Sequence, residues 1–241
     1  MATFVLVHGA FVGAWVWEPV IELLERDGSV VRAPNLPGCG GDRTPPAEVT
    51  LEACVNRVAR EIDRFGEPAI LAGHGFGGIV ITQLAARMPE AIGRLVYVSG
   101  FLPRDGETML GLTRQPEASE EELESNMTIT GPVGTLPVKA ISRALFNAAT
   151  ARQLDWALER VRPQPLAPFG EPVELGRNAP GPELRVYVHC LKDHAVPLAL
   201  QRRMVADNPC TAVHEIDTDH CPSISRPQSL ARILTTSVGE E

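Results

Sequence analysis

Up to residue 100 the chain repeats one pattern: a short apolar run rich in β-branched residues, then a segment of helical spacing. Thr3 to Val7 reads as a buried strand. Val16 to Arg26 reads as a helix with Val20, Leu23 and Leu24 on one side and Gly28 just past its end, and Ser29 to Ala33 as a second strand. After a Pro- and Gly-rich loop over 34–46, Thr50 is placed to cap a helix running to about Phe65, with Leu51, Val55, Val58 and Ile62 on its apolar face. Ala69 to Ala72, Ile79 to Met88 and Arg94 to Ser99 continue as strand, helix and strand. Strands that alternate with helices pair in parallel, because each crossover helix returns the chain to the same end of the sheet. The pattern therefore predicts an α/β fold: a mostly parallel sheet with helices on both faces.

The rhythm stops at Phe101. The stretch to Pro182 is rich in Pro and Gly and holds only helical fragments, such as Ala140 to Asn147 and Gln153 to Arg160. Strand and helix then return at Leu184 to His189, Leu198 to Ala206, Ala212 to Ile216 and Gln228 to Thr235. A structureless loop that long is rare inside a compact domain. The expected organisation is a core formed by 1–100 and 183–241 with a mostly helical cap inserted at 101–182, one structural domain overall.

Composition narrows the partners. The 241 residues suffice for one buried core, and 44% of them are hydrophobic. A formal net charge of -8 argues against a nucleic-acid partner. No run approaches the roughly 20 apolar residues that cross a bilayer, so no membrane partner is expected. Met1 to Val7 enters a strand-like run at once, with no basic n-region, and no signal peptide is expected. The cysteines at 39, 54, 190, 210 and 221 follow no disulfide framework. Both points suggest reduced thiols and a cytoplasmic location. The acidic run Glu120 to Glu122 with Glu124 reads as a solvated helix face.

Three segments carry the chemistry. The turn Gly73-His74-Gly75-Phe76-Gly77-Gly78 joins a strand to a helix, where a nucleophile elbow of the form G-x-S-x-G belongs. Its central serine position holds Gly75. The second segment, Lys192-Asp193-His194 to Pro197, follows a strand, and so does the third, Asp217 to Pro222 with His220. Gly75, Asp193 and His220 stand in the order nucleophile, acid, histidine, each at the C-terminal end of a strand, where open α/β sheets place their sites. The bland alternatives are a helix cap for Asp193 and a loop histidine for His220. The loop His8-Gly9-Ala10-Phe11 follows the first strand and is positioned to supply an oxyanion hole from the Ala10 and Phe76 backbone N–H groups. Gly73, Gly75 and Gly78 also match a dinucleotide-binding spacing, but on the third strand rather than the first, with no acidic residue ending the next.

Phe4-Val5-Leu6-Val7-His8-Gly9-Ala10, Gly13-Ala14-Trp15-Val16-Trp17, Pro34 to Gly41, the elbow, Arg162-Pro163-Gln164-Pro165-Leu166 and the Asp193 and His220 segments together resemble the plant methylesterase and hydroxynitrile lyase branch of the α/β-hydrolase fold family, with its bacterial esterase relatives. The resemblance implies an α/β-hydrolase core with a helical cap, a Ser-His-Asp triad, no cofactor and often a homodimer. The lyases of that family carry Thr at the position of Gly9 and Lys at that of Cys221, so both departures point to the esterase side. Gly75 is the further departure: without a side chain it cannot form an acyl-enzyme.

Gly75 is compatible with three kinds of protein. The chain is an inactivated esterase or lactonase with its other machinery intact. Or it works without a covalent intermediate, His220 and Asp193 acting as general base in water-mediated hydrolysis, epoxide opening, elimination or cyclisation. Or it binds a ligand on a hydrolase scaffold without catalysis. The largely apolar insertion, with Phe101, Met109, Met127, Leu136, Phe146, Trp156 and Phe169, predicts a small hydrophobic substrate. Substrate contacts are expected from His8, Gly9, Phe11, Trp15, His74, Phe101 and Trp156. The His and Cys residues between 189 and 221 show no metal-ligand spacing, so no metal is expected.

Overall fold

A computed structural model describes residues 2–65 and 67–237. The strands are β1 (Thr3–Val7), β2 (Val30–Arg32), β3 (Ala69–His74), β4 (Ile92–Val98), β5 (Thr128–Thr130), β6 (Val133–Thr135), β7 (Gln164–Pro165), β8 (Arg185–Cys190) and β9 (Ala212–Ile216). The α-helices are α1 (Glu18–Arg26), α2 (Leu51–Ile62), α3 (Gly77–Arg87), α4 (Met109–Thr113), α5 (Val138–Leu145), α6 (Ala151–Leu158), α7 (Leu198–Asp207), α8 (Pro222–Ser225) and α9 (Pro227–Thr236). Six strands form one sheet in the order β2-β1-β3-β4-β8-β9, every pair parallel.

Alternation along each strand divides the core. Phe4 and Leu6 of β1, Ile70 and Ala72 of β3 and Val96 and Val98 of β4 face α1 and α9, packing against Val20, Leu24, Leu230 and Leu234. Val5 and Val7, Leu71, and Leu95 and Tyr97 face the other way, against Val55 and Val58 of α2, Ile81 and Leu84 of α3 and Leu200 and Met204 of α7. A strand buried on both faces must be apolar throughout, which is why β1 reads as an unbroken hydrophobic run. Thr50 caps α2 through its side chain, which accepts from the Ala53 N–H at 3.0 Å.

Between β4 and β8 the chain leaves the sheet. This segment carries α4, α5, α6 and several 3-10 turns, as the helical fragments suggested. It also carries an antiparallel sheet in the order β5-β6-β7, which the expectation of only helical fragments missed. Strands of two and three residues are too short to show an alternation. The acidic run is not an α-helix face either: Glu120 ends a turn, Glu121 and Glu122 lie in irregular backbone and Leu123 in a bend before a 3-10 turn at Glu124–Asn126.

Candidate active site

The loops after β1, β3, β8 and β9 meet at the C-terminal edge of the parallel sheet. The turn after β3 is tight because α3 must start directly beneath β1. A Cβ on Gly77 would lie 2.4 Å from the Val7 carbonyl oxygen, so only glycine fits. Gly75 has φ +50, the conformation in which an elbow projects its central residue. Phe11 (φ 63) and Ser99 (φ 41) are the non-glycine residues of positive φ among those described, and they too flank this site. Backbone strain gathers where the loops converge.

Asp193 is pinned before it meets the histidine. Its Oδ1 accepts from the backbone N–H groups of Ala195 and Val196, each at 2.8 Å, and its Oδ2 from the side-chain amide of Gln201 at 3.2 Å. The same Oδ2 lies 2.8 Å from His220 Nδ1. An acceptor on that side fixes the tautomer: Nδ1 carries the hydrogen and Nε2 keeps its lone pair. Nε2 points at the elbow, 3.0 Å from where a Cβ on Gly75 would stand. The His220 carbonyl accepts from Ser99 Oγ and His74 Nε2, both at 2.9 Å, so the base loop is fixed on its other side as well. Asp219 extends the same scaffold, accepting from Ser225 Oγ and from the N–H groups of Cys221 and Ala148.

One chiefly apolar cavity of about 50 Å³ touches Gly75 and His220 and is also lined by Ala10, Phe11, Phe76, Phe101, Met109, Met127, Phe169 and Val196. It has room for a few waters and is well below the ~300–1,000 Å³ of typical ligand pockets. A groove beside Leu51, Gln83, Arg87 and Glu174 is larger, about 450 Å³, but contains neither the elbow nor His220. Among the described residues neither the Ala10 nor the Phe76 backbone N–H has a protein acceptor.

Phe11 and Phe101, expected as substrate contacts, line the cavity. His8, Gly9, Trp15, His74 and Trp156 do not, and each has a structural job instead. His8 Nε2 accepts from the Leu36 N–H at 3.0 Å, its Nδ1 lies 2.8 Å from the Gly9 carbonyl oxygen, and burial pushes its pKa down to about 4. Gly9 packs behind the elbow, where a Cβ would lie 2.9 Å from His74 Nδ1. His74 lies under the His220 ring, centroids 4.4 Å apart, with its pKa pushed well down by burial and by the neighbouring His220. Trp15 and Trp156 pack edge-to-face against each other at 5.2 Å. Leu136, Phe146 and Trp156 of the insertion also lie outside the cavity lining. Cys221 is buried with its Sγ 3.8 Å from His74 Nε2, so the lyase lysine position offers no charge to the cavity.

Two residues were missed. Gln201 is fully buried on α7; besides Asp193 it bonds the Cys190 N–H and the Cys190 and Val196 carbonyls. Its sequence signal is an amide on the inner face of the helix, beside Leu200 and Met204. Gln164, in β7, accepts from the Phe11 N–H at 2.9 Å and so ties the insertion to the loop that carries Ala10. Nothing in its local sequence marks that long-range bond.

A match to the alpha/beta hydrolase family covers residues 4–233. The chain belongs to that family. The relatives of this α/β-hydrolase are of esterase type. It is 33% identical over 96% of its length to the putative chloroplastic methylesterase 14 of Arabidopsis thaliana, covering 70% of that protein. It is 30% identical over 97% of its length to a carbendazim-hydrolysing esterase of Nocardioides, covering 98% of it. The chain spans only 55% of the length of another plant relative, the putative methylesterase 13. In fold it matches a pyrethroid hydrolase from Sphingobium faniae with a TM-score of 0.88 at 24% identity, over 99% of this chain and 98% of that one. Among the described residues no group of three His, Cys, Asp or Glu is placed to hold a metal ion, and no helix is long and apolar enough to cross a membrane.

Proposed function

We propose that this α/β-hydrolase carries the site of an esterase or lactonase for small, mainly apolar substrates, with the covalent step closed at Gly75. In this reading the 101–182 segment is the cap, over a core of 1–100 and 183–241. The carbonyl oxygen of the substrate accepts from the Ala10 and Phe76 N–H groups, which have no acceptor among the described residues. His220, oriented by Asp193, faces the carbonyl carbon. The observation that carries the reading is the 3.0 Å between His220 Nε2 and the Cβ position of Gly75. The base stands where a serine hydroxyl would need it, and only the nucleophile is lacking.

The same distance favours a second reading, catalysis without a serine. The lone pair of Nε2 has no protein partner among the described residues, so it can take a proton from water. The resulting hydroxide adds to the carbonyl carbon, the oxyanion rests under the two N–H groups, and collapse returns the proton from His220 to the leaving alkoxide.

Hydrolysis of p-nitrophenyl butyrate by the chain and by Gly75→Ser separates the readings. A gain of about 100-fold or more in the serine variant supports the closed covalent site. Turnover by the chain itself, lost in His220→Ala, supports the water-mediated route. Neither, with the ester still bound, leaves a binding protein and defeats both.

A further inference from the structure

The cavity has an electrostatic sign that its apolar walls conceal. Its acidic lining residues are Glu121 and Glu124, and neither Lys nor Arg lines it. Glu122 and Glu124 are matched by cations. Glu122 Oε1 lies 2.7 Å from an Arg143 nitrogen and 3.4 Å from His194 Nδ1. Glu124 lies 3.4 Å from Arg114. Glu121 has no cationic partner among the described residues. Its carboxylate accepts only from the backbone N–H groups of Leu123 and Glu124, which hold it in place without neutralising it. It is also half-buried, and that burial raises its carboxyl above the ordinary range, with smaller contributions from Glu124 and Glu122. A partly desolvated, unmatched acid acts on a ligand more strongly than a surface one.

The cavity is a site on independent grounds, since the unbonded Nε2 of a buried histidine looks into it. We propose that Glu121 sets its specificity. It favours esters whose far end carries a cationic or N–H donor group and disfavours ligands bearing a carboxylate. Ester hydrolysis turns a neutral substrate into a carboxylate and an alcohol, so the same charge hastens departure of the acid. The inference rests on the reading of this cavity as an ester site.

Three probes of one shape test it by binding alone: benzyl acetate, 4-(aminomethyl)benzyl acetate and 4-carboxybenzyl acetate, titrated calorimetrically into the chain and into Glu121→Gln. The ammonium probe is expected to bind at least about tenfold more tightly than the carboxylate probe, and this ratio to shrink below about threefold in the variant. The glutamine oxygen can still accept from the two N–H groups, so the turn is kept. Equal binding of the charged probes to the chain, measured without any variant, overturns the inference while the neutral probe still reports the ester site. An unchanged ratio in Glu121→Gln overturns it too. If benzyl acetate itself does not bind, the reading of the cavity fails and the inference falls with it.

Discussion

The two sides of the cavity are held in different ways. On the sheet side every reactive group is fixed by several bonds: two backbone N–H groups and Gln201 on Asp193, Asp193 on His220, and Ser99 and His74 on the His220 carbonyl. On the insertion side the walls come from short helices, 3-10 turns and a small sheet whose first strand is exposed along its whole length. Side-chain bonds tie the margins of the insertion to the core, among them Glu171 to the Leu51 N–H, Gln153 to the Ile224 carbonyl and Asp219 to the Ala148 N–H, and Gln164 to Phe11 reaches the loop that carries Ala10. In the proposed reading the reacting groups are preorganised on the sheet edge, and the insertion supplies the wall that faces them.

The largest effect is expected on the sheet side. Asp193→Asn keeps the volume but removes the acceptor that fixes the His220 tautomer. Any activity that depends on His220, in the chain or in Gly75→Ser, should fall about 10³–10⁴-fold in kcat, by analogy with the serine-protease aspartate. A loss of less than about tenfold would mean that the carboxylate does not orient the ring.

A smaller effect concerns pH. The His8 pKa is held near 4 by burial, against about 6.5 when unfolded. Between those values the unfolded chain binds more protons, so stability falls as pH drops through that window and is flat with respect to His8 above it. His74, also depressed by burial, acts in the same direction. For His8 alone the loss is about 2 kcal/mol by pH 5. Urea unfolding of the chain and of His8→Gln between pH 5 and 7 measures it. Equal slopes for the two would show that His8 is not held neutral by the fold.

The smallest effect lies on the insertion side. Gln164→Leu orphans the buried Phe11 N–H and should cost about 1 kcal/mol of stability. In the Gly75→Ser background it should also lower kcat roughly tenfold by loosening the loop that carries Ala10. If kcat is unmoved and only stability drops, the insertion does not position that loop.

This division also explains what could be read in advance. Thr3–Val7 is legible to the residue because both faces of β1 are buried. Thr50 announces α2 because a hydroxyl before an apolar helix has one obvious use. Glycines at the elbow, an aspartate after β8 and a histidine after β9 mark the site because strand ends fix where such residues go. The insertion offers no such rule. Its two- and three-residue strands have no measurable period, and Glu121 reaches the cavity only through a turn that resembles an exposed acidic run. His8, His74, Trp15 and Trp156 stand outside the cavity lining for a related reason. Their proximity to the site in sequence is real, but their rings turn to hydrogen bonds and packing behind it.

Covalent labelling shows whether the Asp193–His220 pair can drive a nucleophile placed at the elbow. The chain, Gly75→Ser and Gly75→Ser/His220→Ala are treated with a fluorophosphonate, and the adduct is located by peptide mass spectrometry. The serine has to form at φ +50 with the His220 ring giving way by a few tenths of an ångström, so this variant is expected to be about 1–2 kcal/mol less stable yet folded. No adduct is expected on the chain, rapid labelling at position 75 in Gly75→Ser, and loss of that labelling when His220 is removed. A folded Gly75→Ser that stays unlabelled, or an adduct elsewhere on the unsubstituted chain, would contradict this reading of the site.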